Sequence, residues 1–449
     1  MLYRKAINNL IAWKEHKSNQ GLLVVGARQV GKSTLIEEFA RQHYEVLAKI
    51  DFIATPHAVD VIRQARDADD LFLRISALTD KELVPGRTLV FFDEIQEFED
   101  ILTWAKYLQA RSEFDYVFSG SLLGVDLSGV RSWPVGFLEE MEMFPLDFEE
   151  FCLANGVTAS VLQEVRAAYS ECRPVADFIH DKMLDLHRKY LLVGGMPEAV
   201  QRFLDTNDMN ALRRVHKGVY DMYEHDIARH MKDNEAIRFV KMLYEAIPSQ
   251  LDKENKRFKF AGLKGAGVVH EGDLRFSRLE SSFDWLEATG VALSALRVTE
   301  PCFPLGLTAD RGTFKLYMND VGLLTYRLAG TAALEILSGR GDINYGSICE
   351  NFVAQELRSC ELDLYYYNST KRGEVDFVIQ DSARGKVLLI EVKSGKDYKR
   401  HRALKNLLQV DDYEIDGAYV LCNGNLEEDD GVLYLPIYMT SFIGRDAAA

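Results

Sequence analysis

The feature that constrains this chain most is a short glycine-containing loop near its N-terminus. Residues 26–33 read Gly-Ala-Arg-Gln-Val-Gly-Lys-Ser and fit the pattern G-x-x-x-x-G-K-[ST]. An apolar run at residues 22–25 precedes the loop, and a helix-forming run at residues 34–40 follows it. A strand, a tight loop and a helix in this order form the context in which such a loop binds phosphate. The alternative is a glycine turn without a ligand.

The loop predicts a site for ATP and Mg²⁺ in which each residue has a distinct task. Gly26 and Gly31 let the backbone turn its N–H groups toward phosphate oxygens, and the helix that follows adds the positive end of its dipole. Lys32 is expected to reach the β- and γ-phosphates, and the Ser33 hydroxyl is expected to ligate Mg²⁺. The predicted nucleotide-binding residues are Gly26, Ala27, Arg28, Gln29, Val30, Gly31, Lys32, Ser33 and Thr34.

A second motif supports the same site. Residues 88–92 form a run of strand formers that ends directly in Asp93 and Glu94. Ligands of open α/β sheets bind at the carboxyl ends of strands, so we expect Asp93 in the Mg²⁺ shell and Glu94 as the group that polarises the attacking water. The alternative, a solvated acidic turn, suits the acidic residues at 97–100 better than these two.

A third strand-like run, residues 115–118, is apolar after Asp115 and ends in Ser119. It resembles the strand whose polar tip senses the γ-phosphate in ATPases with an additional central strand, and Ser119 is the sensor candidate. An ordinary Ser-Gly turn is the alternative. The alternation of strand and helix patterns up to residue 155 predicts an α/β fold built on a parallel sheet. The resemblance of residues 115–119 to the sensor strand implies that this sheet is of the additional-strand type.

Composition narrows the class of protein. No apolar stretch approaches the roughly 18 residues that a membrane-spanning helix needs, and the N-terminus lacks the apolar core of a signal peptide. The six cysteines include no C-x-x-C pair, so neither zinc nor a disulfide framework is indicated, and we expect a cytoplasmic protein. The net charge of −16 argues mildly against nucleic acid, but basic residues cluster at 253–264 and 396–405. Solvated faces are the alternative for both clusters.

Pattern changes along the chain predict four regions. Residues 1–155 form the ATPase domain, and the wholly helical pattern of residues 156–234 indicates a lid or linker. Short helices, basic connections and a strand pair outline a winged helix at 235–317. Residues 318–449 form a final α/β domain.

This last domain contains a second candidate site. Asp376 lies in one apolar strand, and Glu391 and Lys393 lie in the next, on the same face because side chains of a strand repeat every two residues. Two carboxylates can hold Mg²⁺ or Mn²⁺, a lysine can orient water, and Glu350 on a preceding helix can complete the shell. The pattern is that of the PD-(D/E)xK nuclease core. The alternative is a structural ion-pair cluster on a binding domain that has lost activity.

Nearly the whole chain resembles the bacterial and archaeal ATPases that join an AAA-type domain to a C-terminal domain of unknown function, DUF4143. The resemblance rests on Gly26-Ala-Arg-Gln-Val-Gly-Lys-Ser, Phe92-Asp-Glu-Ile-Gln96, Phe144-Pro-Leu-Asp-Phe-Glu-Glu-Phe151, Tyr190-Leu-Leu-Val-Gly-Gly-Met-Pro-Glu198, Phe314-Lys-Leu-Tyr-Met-Asn-Asp-Val-Gly-Leu-Leu324, Glu350-Asn-Phe-Val-Ala-Gln-Glu-Leu357 and Ile390-Glu-Val-Lys-Ser-Gly395.

The resemblance implies ATP hydrolysis, a winged helix and a fold similar to restriction enzymes and archaeal Holliday-junction resolvases. It assigns the ATPase roles to Lys32, Ser33, Asp93 and Glu94, and the nuclease-like roles to Glu350, Asp376, Glu391 and Lys393. It also implies a homo-oligomer, of which a hexameric ring is the AAA-type expectation.

The chain departs from the family pattern at one point. Such proteins commonly have Gly-Arg before the acidic strand, whereas this chain has Gly136-Phe137, and the nearest arginine is Arg131. The source of the charge that stabilises the transferring phosphate therefore stays open. A neighbouring subunit can supply it as an arginine finger.

The leading hypothesis is an ATP-hydrolysing protein that acts on DNA, branched or junction DNA in particular, and carries a nuclease-like domain. The first alternative is a nucleotide-dependent switch for defence or signalling whose C-terminal domain contacts a protein. The second is a binder of DNA structure with an inactive nuclease fold. DNA-stimulated ATP turnover separates the leading hypothesis from the first alternative, and metal-dependent cleavage separates it from the second.

Overall fold

The computed structural model describes residues 2–16, 20–110, 113–121, 136–230, 234–251, 276–329, 345–395 and 397–448. The chain divides into an N-terminal unit, residues 3–144 with 288–290, and a C-terminal unit, residues 1–2, 145–287 and 291–449. None of the helices in the described residues has both the length and the apolar character that crossing a membrane requires.

The described part of the N-terminal unit is built on a five-stranded sheet in which every pairing is parallel. The sheet order is β2-β3-β4-β1-β5, so β4 separates the strand before the glycine loop from the strand that ends in Asp93. This arrangement confirms the predicted α/β fold with an additional central strand. The strands are β1 Gly21–Val25, β2 Val46–Asp51, β3 Thr88–Asp93, β4 Asp115–Ser119 and β5 Leu138–Glu142.

Helices cover this sheet, and their apolar faces form its core. Strand β3 is buried along its whole length, which explains its continuous apolar sequence. Burial of each large apolar side chain contributes roughly 1.5–3 kcal/mol, so the middle of the sheet is its most stable part. The helices of this unit are α1 Ile7–His16, α2 Lys32–His43, α3 His57–Arg63, α4 Ala68–Thr79 and α5 Leu102–Gln109.

The C-terminal unit begins with a run of helices and contains a larger sheet. Its helices are α6 Phe148–Ala154, α7 Ala159–Ser170, α8 Asp177–Val193, α9 Pro197–Thr206, α10 Met209–His230, α11 Asn234–Leu251, α12 Phe276–Ala288, α13 Val321–Ala329, α14 Gly346–Arg358, α15 Arg402–Leu408 and α16 Thr440–Ala448.

The start of this unit differs from the predicted domain boundary at residue 155. Helix α6 begins with a capping box, in which Asp147 and Glu150 each accept a hydrogen bond from the backbone N–H of the other. The N–H of Phe148 donates to the Glu356 carboxylate at 2.9 Å. These contacts place α6 in the C-terminal unit, and the N-terminal unit ends at Phe144.

Within the described residues, the sheet of the C-terminal unit has eight strands in the order β12-β13-β11-β10-β9-β8-β6-β7 and mixes parallel with antiparallel pairs. Its strands are β6 Ala292–Val298, β7 Ala309–Met318, β8 Leu364–Ser369, β9 Gly373–Asp381, β10 Lys386–Val392, β11 Ile415–Cys422, β12 Glu427–Asp429 and β13 Val432–Pro436.

The strand pair that was expected to end a winged helix belongs to this same sheet. Strands β6 and β7 pair antiparallel, and β6 also pairs parallel with β8. The predicted boundary between residues 317 and 318 therefore falls within the eight-stranded sheet. Much of the basic connection of the expected winged helix lies at residues 252–275, outside the described residues, so the winged helix stays a prediction.

Helix α14 is enclosed on every side, because each residue from Ser347 to Leu357 is buried. Several of its polar side chains are satisfied by backbone groups. The Asn351 amide accepts from the N–H of Met318 at 2.8 Å and donates to its carbonyl at 3.0 Å. The Gln355 amide accepts from the N–H of Val321 at 2.8 Å. Loss of one such partner costs about 1–3 kcal/mol, so α14 fixes the end of β7 and the start of α13.

A second junction joins α8 to α13. The carboxylate of buried Asp320 accepts from the N–H groups of Gly195 at 2.5 Å and Leu323 at 3.1 Å. Gly194 adopts φ +70° and ψ −166°, a backbone region that is nearly exclusive to glycine. Burial raises the pKa of Asp320 to about 6, although the backbone N–H groups oppose this shift. The two segments thus meet with no space for a side chain at Gly194.

We expect Gly194→Ala to destabilise the protein by more than about 2 kcal/mol, because it combines backbone strain with a steric clash. The new Cβ would lie 2.1 Å from Oδ1 of Asp320. The matched control is Gly218→Ala on helix α10, where nothing lies within 4 Å of the added Cβ. We expect that change to be neutral or to stabilise by up to about 1 kcal/mol. Urea unfolding followed by circular dichroism measures both, and equal midpoints would contradict the role of this junction.

Candidate functional site

The glycine loop adopts the backbone conformation that the sequence motif requires. Gly26 has φ +140° and Gly31 has φ +94°, both in the region that favours glycine. A Cβ on Gly26 would lie 2.2 Å from the carbonyl oxygen of Met143. Helix α2 begins at Lys32, within the last two residues of the motif, so its N-terminal N–H groups are available to phosphate oxygens.

A buried arginine, Arg4, fixes the backbone of this loop. The Arg4 guanidinium donates to the carbonyls of Val30 at 2.7 Å and Phe144 at 2.6 Å. Arg4 is 6% exposed, and a buried charge-assisted hydrogen bond fixes geometry more firmly than an exposed one. Sequence reasoning missed Arg4, because a residue that acts only on backbone carbonyls carries no motif.

Asp93 lies at the centre of the predicted nucleotide site. Its Oδ1 accepts hydrogen bonds from the Ser33 hydroxyl at 2.9 Å and from the Ser119 hydroxyl. The sheet order explains this convergence, since β4 lies between β1 and β3 and places Ser119 beside Asp93. The structure therefore brings together three residues that the sequence predicts for one site.

Lys49 is a fourth member that sequence reasoning missed. Its Nζ lies 2.9 Å from Oδ2 of Asp93 and 2.7 Å from Oε1 of Glu37. Lys49 lies on β2, which pairs with β3, and it alternates there with the buried residues Ala48 and Ile50. This alternation is the sequence signal that could have revealed Lys49, because a single cation between two buried residues of β2 lies beside the strand that ends in Asp93.

Glu94 follows Asp93 in an unusual backbone conformation. Its φ of +57° and ψ of +47° lie in the left-handed region, which non-glycine residues occupy rarely and often at functional sites. The Gln96 amide donates to the Glu94 carboxylate, and its oxygen accepts from the N–H of Ser121 at 3.3 Å. The Ser121 hydroxyl in turn accepts from Arg28 at 3.2 Å. Gln96 thus positions Glu94 relative to the end of β4.

Lys32 is buried at the start of α2. Its ammonium donates to the carbonyls of Gly26 and Ala27, each at 2.9 Å. Burial lowers the pKa of Lys32 to about 8, while the charges of Glu94 and Asp93 oppose that shift. A phosphate group next to the ammonium would favour its charged form further.

The residues around Asp93 fit a Mg²⁺–nucleotide complex. Mg²⁺ prefers oxygen ligands such as a hydroxyl, a carboxylate and phosphate groups. Ser33 and Asp93 present two such oxygens at the N-terminus of α2, beside the loop that suits phosphates. Glu94 follows Asp93 directly and is partly exposed, so it can contact water.

The predicted C-terminal residues lie close together, but with a different arrangement from a metal shell. Lys393 pairs with Glu391, with 2.7 Å between Nζ and Oε1. Asp376 accepts the N–H of Val392 at 2.8 Å. Burial, and after it the charge of Asp376, raise the pKa of Glu391 well above its usual range, although Lys393 opposes the shift.

Lys315 and Glu374 also belong to this cluster, and sequence reasoning missed both. The Lys315 ammonium lies 2.8 Å from Glu374, 3.8 Å from Glu350 and 3.9 Å from Asp376. Within the described ranges, no group of three or more His, Cys, Asp or Glu side chains is arranged to hold a metal ion. The structure thus does not support the predicted metal shell of Glu350, Asp376 and Glu391.

The structure describes most of the second basic stretch but not the first. Residues 253–264 lie outside the described residues. In the second stretch, Lys399 pairs with Glu427 and Lys405 pairs with Asp430, each at 3.1 Å, and Arg400 lies 3.9 Å from a neighbouring acid, Asp397. These three cations are therefore already partly neutralised.

Models of three protein families match the sequence. An AAA domain model matches residues 18–152, and a model of DUF8612, a domain of unknown function, matches residues 184–334. A model of DUF4143, also a domain of unknown function, matches residues 345–439. The chain thus combines an AAA domain with a C-terminal DUF4143 domain. The AAA match includes the glycine loop and Asp93, and the DUF4143 match includes the carboxylates of the second cluster.

Solved structures similar to this ATPase include the Walker-type ATPase PABY2304 of Pyrococcus abyssi, at 16% identity, a TM-score of 0.43 and coverage of 73% of this chain and 96% of that one. The RuvB Holliday junction branch migration motor of Thermotoga maritima follows at 14% identity, a TM-score of 0.28 and coverage of 65% and 89%. Drosophila ORC bound to DNA has 11% identity, a TM-score of 0.28 and coverage of 74% and 96%. No curated protein matches the sequence.

Proposed function

We propose that this ATPase couples ATP hydrolysis to a transaction on DNA, with branched or junction DNA as the preferred structure, in recombination, repair or genome defence. The observation that carries the nucleotide part is the convergence of Ser33 and Ser119 on the carboxylate of Asp93. Support for the DNA part comes from the basic stretch at residues 253–264 and from the nuclease-like pattern of the last domain.

The site divides the steps of hydrolysis among its residues. Lys32 and the loop N–H groups hold the phosphates, and Ser33 with Asp93 would hold Mg²⁺, which neutralises phosphate charge when bound. Glu94 orients the attacking water from its fixed position beside Gln96. Ser119 lies between the loop and Asp93, where its hydroxyl can respond to the terminal phosphate.

Two variants test this assignment. We expect Lys32→Ala to weaken nucleotide binding at least about tenfold, because it removes a buried charge from the phosphate site. We expect Glu94→Gln to lower kcat about 100-fold or more while nucleotide affinity stays near that of the wild type, because the amide cannot polarise water. Fluorescence titration with a nucleotide analogue measures affinity, and phosphate release measures turnover.

The matched control for Glu94→Gln is Glu97→Gln, the same change on the 3₁₀ turn that follows. Its turnover should stay within about twofold of the wild type. Unchanged turnover in Glu94→Gln, or an equal reduction in both variants, would sink the assignment of Glu94.

The two basic stretches are unequal candidates for binding DNA. Neighbouring acids partly neutralise Lys399 and Lys405 in the second stretch. The first stretch, residues 253–264, has one acid among its twelve residues and five cations, which are Lys253, Lys256, Arg257, Lys259 and Lys264. Neutralising DNA phosphates releases counterions, so clustered cations give strong, salt-dependent binding even in an acidic protein. We therefore assign the main DNA-binding role to residues 253–264.

We expect the triple variant Lys256→Gln/Arg257→Gln/Lys259→Gln to bind a four-way junction more weakly than the wild type. The slope of log K against log salt should become shallower by about 0.9 for each DNA phosphate that the variant no longer neutralises. Fluorescence anisotropy at salt concentrations between about 50 and 200 mM measures both the affinity and the slope.

The matched control removes three charges from the second stretch, as Lys399→Gln/Arg400→Gln/Lys405→Gln, and should bind DNA nearly as the wild type does. An equal decrease in affinity in the two triple variants would remove the distinction between the stretches. Equal wild-type affinity for linear and four-way DNA would remove the preference for junctions.

We also propose that ATP favours self-association. Phe137 stands where the family pattern has arginine, so a second copy of the chain is the proposed source of the arginine finger. Light scattering of Glu94→Gln should show a larger particle with ATP than without nucleotide, with a hexamer as the expected size. A monomer in ATP, at protein concentrations that give the wild type full turnover, would count against this proposal.

The second candidate function is a nucleotide-dependent switch whose C-terminal domain binds a protein or DNA without cutting it. Lys315 favours this candidate, because its ammonium lies among the carboxylates that would bind the metal ion of a nuclease. A cation in that place opposes metal binding and therefore metal-dependent cleavage. ATP turnover that does not respond to any DNA would favour the switch over the DNA transaction.

A further inference from the structure

Lys315 reaches the carboxylate cluster from the edge of the eight-stranded sheet. It lies on β7, directly opposite Ala295 on β6. Because Ala295 is small, the lysine stem can lie across it, and the ammonium lies 4.8 Å from the centre of the Tyr366 ring on β8. From there it reaches Glu374 on β9 at 2.8 Å. Contacts of this fully buried side chain thus link β7 with β8 and β9.

The carboxylates around Lys315 come from two elements. Glu374 and Asp376 alternate on β9, so they share one face of the strand. Glu350 is on α14, which is buried against the same sheet. All three carboxylates lie within 4 Å of one ammonium. These acids are close together and Glu350 is buried, so the group requires a compensating cation, and Lys315 provides one.

We propose that the ammonium of Lys315 is the permanent cation of this site and takes the place of the divalent metal that Glu350, Asp376 and Glu391 would hold. The DUF4143 domain of this chain is then a nuclease-like fold that does not cleave phosphodiesters by a metal-dependent route.

The surroundings explain why a metal ion and Lys315 exclude each other. A divalent cation needs carboxylate oxygens at about 2.0–2.6 Å. A cation bound at this distance by Glu350 and Asp376 would lie close to the ammonium of Lys315. Two cations that close would repel each other, and the fully buried side chain of Lys315 cannot turn its charge into solvent without opening the sheet. Two acids of the predicted metal shell have other partners as well, since Asp376 accepts the N–H of Val392 and Glu391 pairs with Lys393.

This inference does not depend on DNA binding or on ATP turnover, because every residue in it lies in the C-terminal unit. Its tests therefore use the nucleotide-free full chain and Mn²⁺ alone as the probe. They can fail while the proposed function stands, and the reverse also holds.

The first arm titrates Mn²⁺ into the wild type and into Asp376→Asn/Glu391→Gln by calorimetry. We expect the two isotherms to be the same, because the cluster contributes no metal site. The double variant keeps the volume of both side chains, so any weak binding elsewhere cancels in the comparison. A wild-type Mn²⁺ site that the double variant lacks would overturn the proposal.

The second arm removes the ammonium with Lys315→Met and uses Lys393→Met, the other lysine of the cluster, as its matched control. We expect Lys315→Met to have a lower Tm than the wild type and to recover about 5 °C when Mn²⁺ is added, because three carboxylates lose their cation and can accept the metal. The wild type and Lys393→Met should show no such recovery.

An unchanged Tm for Lys315→Met, together with no response to Mn²⁺, would overturn the proposal, because it would show that the carboxylates need no cation. Recovery of Tm by Mn²⁺ in Lys315→Met alone supports it. If Lys315→Met does not fold, the comparison between the wild type and Asp376→Asn/Glu391→Gln decides by itself.

Discussion

The enclosure of helix α14 is the constraint on which the C-terminal unit depends. A helix buried on all sides must satisfy its polar side chains inside the protein, and α14 does so largely through backbone groups of other segments. Asn351 fixes the end of β7, Gln355 fixes the start of α13, and Glu356 fixes the start of α6. The polar residues of this family motif are therefore explained largely by architecture, since each of these three holds a different stretch of chain in place.

The nucleotide site follows a different logic, in which strand order does the positioning. Because β4 lies between β1 and β3, one carboxylate meets hydroxyls from two neighbouring elements. Lys49 approaches the same carboxylate from β2 and balances its charge. The site is thus assembled at the carboxyl ends of neighbouring strands, and Arg4 fixes the glycine loop through its hydrogen bond to the carbonyl of Val30. A rigid sheet suits this task, because phosphate chemistry depends on accurate positioning.

Sequence reasoning predicted the parts of this protein that depend on contiguous patterns. The glycine loop, Asp93 at the end of β3 and Ser119 at the end of β4 each follow an apolar run, and the structure brings them together. Sequence reasoning missed Lys49 and Lys315, because the acids that pair with them lie on elements that are distant in sequence. The pair β6–β7 was visible as two strands, but its membership of the eight-stranded sheet depends on pairing with β8, which no local pattern encodes. The C-terminal metal shell lacks support for the same reason, since the cation that compensates its carboxylates comes from another strand.

Lys315 has a consequence for the edge of the sheet as well. Among the described strands, β7 is at the end of the sheet order, so it is held by a strand on one side only. Detaching β7 from β6 would carry the buried ammonium of Lys315 away from Glu374 and Glu350 and would leave those acids without their cation. The residue that balances the acids thus also fastens the last strand of the sheet to its interior.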